Sequence, residues 1–143
     1  MIKINTGLES YILIDSITEV NDLEIRGSII YNNASLYAGI ESLAQTCSMH
    51  VRWLHGFKKH AALLKINDIH FQDCSPLDGN FSVTGKLTAQ SGRAFTYSLQ
   101  SSLDGDLKIE GHIIIALIDY DNKFKNKILE EHYKKLFLCL TKS

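Results

Sequence analysis

Four polar side chains, Glu41, Gln45, Ser48 and Arg52, recur at steps of four, three and four residues. On an α-helix that spacing puts them on one face. Glu41 is the member of that row suited to moving protons. A carboxylate turned into an apolar tunnel loses hydration and serves as acid or base. Gln45, one turn further on, is placed to orient it. Gly39 falls in the first turn of the same segment, where helix amides lack partners and the dipole end is positive. Its missing side chain lets a substrate approach the backbone closely. Simple helix packing explains Gly39 equally well. His50 stands nine residues beyond Glu41, a rotation of roughly 180° and a rise of about 13 Å. The two cannot share one pocket of one chain, and they meet only across an interface between antiparallel helices. A core histidine with one hydrogen bond is the plainer reading of His50.

The remaining reactive side chains are scattered. His70 shares a strand face with Asp68, a pairing able to tune an imidazole, and His112 is a second strand histidine. His55 and His60 flank a helix end and read as surface residues. None of the six histidines has metal-ligand spacing on one element, so no metal and no cofactor is expected. Cys47, Cys74 and Cys139 are odd in number and widely spaced, with no C-x-x-C pair. They read as small buried side chains in a protein of the reducing cytoplasm.

The elements that must position these groups follow from periodicity. Residues 11–20 are rich in β-branched types and read as a strand, and Asn21-Asp22 as a turn into a partner strand over 24–31. From about 36 to 55 the period changes. Ile40, Leu43, Ala44, Cys47, Val51 and Leu54 mark one face of a long helix, with Gly56 at its C-terminal end. Strands resume over 61–71, 80–89, 92–103 and 106–118. Asp104-Gly105 is a hairpin signal, and Ile113 to Ile115 reads as a run buried on both faces or lying in a central strand. Residues 121–143 turn helical again, with Phe124, Ile128, Tyr133, Leu136, Phe137 and Leu140 as an apolar stripe opposite lysines. That stripe docks on the parent domain or on a partner. One long helix after the first hairpin must cover one face of a curved antiparallel sheet. The fold class is therefore α+β, with a domain over 1–120, a possible seam at 119–122, and a helical extension over 121–143.

The segment Tyr37-Ala38-Gly39-Ile40-Glu41-Ser42-Leu43-Ala44-Gln45-Thr46-Cys47-Ser48-Met49-His50 resembles the central helix of hotdog-fold 3-hydroxyacyl-ACP dehydratases. Its Gly39-Ile40-Glu41-x-x-Ala44-Gln45 core and His50 look most like the subgroup associated with aryl polyene biosynthesis, and Glu41-Ser42-Leu43-Ala44-Gln45 is also similar to fatty-acid dehydratases. Residues 11–17, 64–71 and 103–107 resemble, respectively, the first strand, the strand after the helix and the last hairpin of that family. The likeness spans roughly residues 10–118. It implies a hotdog sheet wrapped around one helix, an acyl-carrier protein or CoA thioester as partner, and a homodimer or higher homo-oligomer with an acyl tunnel along its seam. It assigns Glu41 and His50 to catalysis and Gly39, Gln45 and Asn33 to substrate binding. One departure is plain: no histidine precedes His50, so the family's His-Phe-Pro-Gly general base has no counterpart here. Asn32-Asn33 is similar to the asparagine-containing loop of hotdog thioesterases, although a turn explains it as well. Two alternatives to a dehydratase stay open, a catalytically inactive partner subunit and an acyl thioesterase.

Composition bounds the rest. At 143 residues one domain with a real core is expected. A formal charge of -1 argues against nucleic acid and against a polybasic membrane clamp. The longest apolar run, residues 113–118, is too short to cross a bilayer. Residues 1–7 carry no apolar signal core.

Overall fold

The computed structural model describes the backbone of residues 3–4, 11–12, 14–119 and 123–141, with side chains over 14–119 and 127–141. Two short strands, β1 (Lys3–Ile4) and β2 (Tyr11–Ile12), pair with each other. The main sheet is built from β3 (Ser16–Val20), β4 (Glu24–Ala34), β5 (His60–Phe71), β6 (Leu77–Ser91), β7 (Ala94–Leu103) and β8 (Asp106–Ile118). All six are antiparallel, in the order β3-β4-β6-β7-β8-β5, which leaves β3 and β5 as edges. Between β4 and β5 runs the helix α1 (Leu36–Leu54), and α2 (Lys123–Thr141) closes the chain. This is the expected α+β architecture, one curved sheet around one long helix.

Alternation sets which sheet face meets α1. Ile25, Ile29 and Tyr31 of β4, Phe81 and Val83 of β6, Phe95, Tyr97 and Leu99 of β7, and Ile109, Ile113 and Ile115 of β8 are buried at every second position. Leu43, Cys47 and Val51 of α1 fill the concavity, as the periodicity predicts. Ile40 and Leu54, at the ends of that stripe, are only half-buried. Ile114, between its two buried neighbours, is half-buried on the other face, so the isoleucine run answers to the second expectation, an interior strand: β8 lies between β7 and β5.

Local chemistry explains the boundaries. Ser35 caps α1, its Oγ accepting the Ala38 N–H at 3.2 Å, a cap worth about 1 kcal/mol. At the other end Gly56 takes the left-handed φ of 61°, and the Phe57 N–H reaches back to the Arg52 carbonyl at 2.8 Å. Asp104 and Gly105 both have positive φ, the two-residue turn expected there. The Asn21 side chain accepts the Leu23 and Glu24 amides and makes the first turn.

Three expectations need correction. Residues 11–20 do not form one strand. The Asp15 N–H goes to the Ser28 carbonyl, and its carboxylate takes the Ile30 N–H at 2.6 Å, so the ladder is interrupted just before β3. The strand expected over 80–89 runs from Leu77 to Ser91. Ile128 is not in the docked stripe of α2: the buried row is Tyr133, Leu136, Phe137 and Leu140, with the half-buried Leu129 beside it, and Ile128 is 52% exposed. Residues 120–122 of the expected seam and the Phe124 side chain lie outside the described residues.

α2 docks on the chain itself. Phe137 packs against Phe57 just past α1, Tyr133 lies against Arg52, and the helix also meets β3. It therefore fills the gap between the two sheet edges beside the C-terminal half of α1. Among the described residues no helix is long and apolar enough to cross a membrane.

Candidate active site

The polar row of α1 is not a solvated face. Ser48 and Arg52 are buried, and Glu41 and Gln45 are half-buried. All four line a groove of ≈ 320 Å³, with Ala44 between them on the helix side. His60, Ala61, Ala62 and Leu63 of β5 form the opposite wall, and Tyr133 of α2 completes it. Glu41 and Gln45 are thus brought together, as the spacing of one turn predicts.

Arg52 anchors the end of the groove away from Glu41. It is 2% exposed. Its Nη2 donates to the Ala61 carbonyl at 2.8 Å and lies 3.2 Å from His60 Nδ1. Its guanidinium carbon stands 3.9 Å from the centroid of the Tyr133 ring. Such a desolvated cation–π contact contributes about 2 kcal/mol. The segment after α1 is thereby tied to α1 and to the C-terminal helix at one point.

His50 is not part of this groove. It is fully buried, with Nε2 at 2.7 Å from the Asn21 carbonyl and Nδ1 at 2.5 Å from the Tyr97 hydroxyl. A carbonyl only accepts, so Nε2 carries the proton and Nδ1 accepts from Tyr97. Burial, the largest influence, holds the imidazole below its ordinary pKa despite the Asn21 carbonyl and the nearby Asp22 charge. The result is a neutral core histidine with two hydrogen bonds where the sequence suggests one.

Gly39 and Asn33 also stand elsewhere. A Cβ on Gly39 would lie 2.6 Å from Leu77 Cδ1 and 3.2 Å from Ile109 Cδ1, so this glycine lets α1 approach the sheet. Its N–H is bonded to the Ser35 carbonyl at 3.3 Å. Asn33 is exposed at the register shift between β4 and β6, with φ of 49° and its N–H on the Asp78 carboxylate. Neither side of that turn lines the groove that holds Glu41.

Other sequence candidates resolve simply. Asp68 faces His112 across the β5–β8 ladder at 2.8 Å, with His70 at 3.9 Å, and the His112 hydrogen bond holds the carboxyl below its ordinary pKa. The cluster is exposed on the outer face of the sheet. His55 and His60 are half-buried rather than surface residues: His55 packs edge-on against Phe95, and His60 lies beside Arg52 and Tyr133. Cys47 is buried, while Cys74 and Cys139 are exposed, against the uniform expectation. Among the described residues no three His, Cys, Asp or Glu side chains gather as a metal site. Sequence reasoning did not place Tyr133 or His60 on the groove. The only advance signal was Arg52, eleven residues from Glu41 on the same helix face.

No family model matches this sequence, and no curated protein matches it. Solved structures do. The dehydratase heterocomplex ApeI:P of Xenorhabdus doucetiae is 15% identical, with 82% of this chain and 88% of that one covered at a TM-score of 0.62. A thioesterase of Staphylococcus aureus is 15% identical over 72% of this chain and 92% of that one, TM-score 0.62. A hypothetical thioesterase of Streptococcus pneumoniae, solved with coenzyme A, is 10% identical over 75% and 88%, TM-score 0.56. The chain has the hotdog fold that these proteins share.

Proposed function

We propose that this protein is an acyl-thioester enzyme of the 3-hydroxyacyl dehydratase type, with Glu41 as its acid–base group. The observation that carries the reading is the seat of Glu41. It is half-buried on a groove whose other wall is an edge strand, with Gln45 one turn away. The helix motif around it resembles that of dehydratases. The positive end of α1 lies just before Glu41 and favours the negative charge that develops on a thioester oxygen.

The chemistry follows from Glu41 being the one carboxylate among the described groove residues of the chain. Among the described groove residues the imidazole, His60, adjoins Arg52, which is eleven residues or about 16 Å along the helix from Glu41. Glu41 must then carry both protons. Its carboxylate takes the proton from the α-carbon, and that bonding pair becomes the carbon–carbon double bond. The β-carbon–oxygen bond breaks, and the carboxylic acid returns the proton to the departing hydroxyl, which leaves as water. Both steps occur on one face of the substrate, and the carboxylate is regenerated.

The carrier is an acyl-carrier protein or coenzyme A, in keeping with a coenzyme A complex among the structural neighbours. A cytoplasmic setting belongs to the same reading. A second copy completes the groove. β5 is an edge strand on which Leu63, Leu64 and Ile66 are 37%, 61% and 42% exposed. Two-fold pairing of β5 with its counterpart removes that exposed edge and covers the groove. Pairing with a related active chain in place of a second copy is the inactive-subunit alternative, and a heterocomplex among the neighbours is compatible with it.

Hydrolysis is the second reading. A single carboxylate suffices to activate water, and thioesterases share the fold. One experiment separates the readings. The protein is incubated with a 3-hydroxyacyl thioester of coenzyme A or carrier protein while enoyl absorbance and free thiol are followed. Enoyl product supports dehydration, and Glu41→Gln should lower its rate by about 10²–10⁴-fold without changing the melting temperature. Thiol release without enoyl product supports hydrolysis. Neither product, from the protein alone or with a co-purifying hotdog partner, overturns catalysis.

A further inference from the structure

We infer that Tyr133, carried by α2 and clamped on Arg52, is the end wall of the acyl groove and sets the longest chain that the groove accepts. This rests on the acyl-thioester reading of Glu41. α2 lies outside the sheet-and-helix architecture, and of its described residues only Tyr133 lines the groove. The ring is 1% exposed and rigidly held. The Arg52 guanidinium covers it, the His60 ring lies beside it with centroids 6.1 Å apart, and Arg52 itself is tied to the Ala61 carbonyl. Leu136, Phe137 and Leu140 fix the helix that carries it.

The direction of the substrate follows from which end is closed. A pantetheine arm continues into a bulky carrier and must leave by an open end. Arg52 and Tyr133, at one end, are 2% and 1% exposed, whereas Glu41 at the other is half-buried, so the acyl tail runs from Glu41 toward them. The helix gives that run a length of about 16 Å between Glu41 and Arg52. Beyond His60 the strand wall along it is apolar, Ala61, Ala62 and Leu63. A tail that reaches further must push the ring off the guanidinium and lay a methyl group against a buried cation, so the limit is abrupt.

The test is a length series of unreactive S-alkyl coenzyme A thioethers, and the same alkyl groups on carrier protein, titrated calorimetrically into the full chain. For the wild type, affinity should rise with each added carbon and then fall about tenfold at the length that meets Tyr133. Tyr133→Leu should move that fall to longer chains, Tyr133→Trp to shorter ones, and Tyr133→Phe should leave it in place. Should Tyr133→Leu not fold, the Trp and Phe variants decide. A fall at the same length in every folded variant overturns the inference and leaves the acyl-thioester reading standing. Absence of binding by the wild type at every length, on both carriers, overturns that reading and the inference together.

Discussion

Lowering the pH from 7 to 5 should destabilise the protein through His50. In the folded chain this imidazole is buried, donates to the Asn21 carbonyl and accepts from Tyr97, and burial depresses its pKa. In the unfolded chain it titrates near 6.5. Below that value the unfolded state therefore binds a proton that the folded state refuses, and stability falls as pH falls. Proton uptake by the unfolded imidazole alone caps the integrated loss from this site at about 2 kcal/mol over that window. The depressed carboxyls of Asp68, Asp73 and Asp119 work in the same direction at lower pH: their contribution is present above the unfolded value of 3.8 and is lost through their folded pKa values. The window from 7 to 5 therefore separates His50 from them. The assay is urea unfolding at pH 7, 6 and 5, followed by fluorescence of the single tryptophan, Trp53, which stacks on His50 with ring centroids 6.0 Å apart. The comparison is His50→Gln, whose amide can donate to Asn21 and accept from Tyr97 but takes up no proton. That variant should lose less than the wild type between pH 7 and 5, by at most about 2 kcal/mol. Parallel losses in the two proteins would refute the reasoning.

Two further outcomes follow from the packing. Gly39→Ala gains about 1 kcal/mol in helix propensity, but it drives a methyl group into Leu77 and should cost about 1–3 kcal/mol in overpacking, so the melting temperature should fall. A rise would show that Leu77 yields freely. Replacing Leu64 and Ile66 on the edge of β5 with glutamate should convert a dimer to a monomer by light scattering, with the far-ultraviolet circular dichroism unchanged. A wild-type monomer would sink the two-fold pairing.

The helix and most strands were legible because their patterns are local. The α1 stripe, its Gly56 end, and the Asp104-Gly105 turn each carry their signal within a few residues. The break before β3 was hidden, since it depends on Asp15 reaching Ser28 and Ile30 on another strand. The same limit applied to the site. Glu41 and Gln45 share a helix face by spacing alone. Tyr133 joins that groove only through the docking of α2, ninety-two residues downstream of Glu41 in the chain. His50 entered the candidate list through the resemblance of its helix, while spacing alone favoured a core residue. Its neutrality comes from Tyr97 and Asn21, partners that no periodicity announces.

Strand order also bears on how the chain assembles at the ribosome. β5 follows α1 directly, yet among the described residues its ladder partner is β8, the last strand of the sheet. While residues 72–105 are being made, β5 has nothing to pair with, and the apolar side of α1 is only partly covered. Such long-range closure slows folding and leaves sticky segments waiting in the nascent chain. Ribosome-bound chains that stop short of β8 should therefore recruit chaperones, and release from them should coincide with the emergence of Ile109 to Ile115.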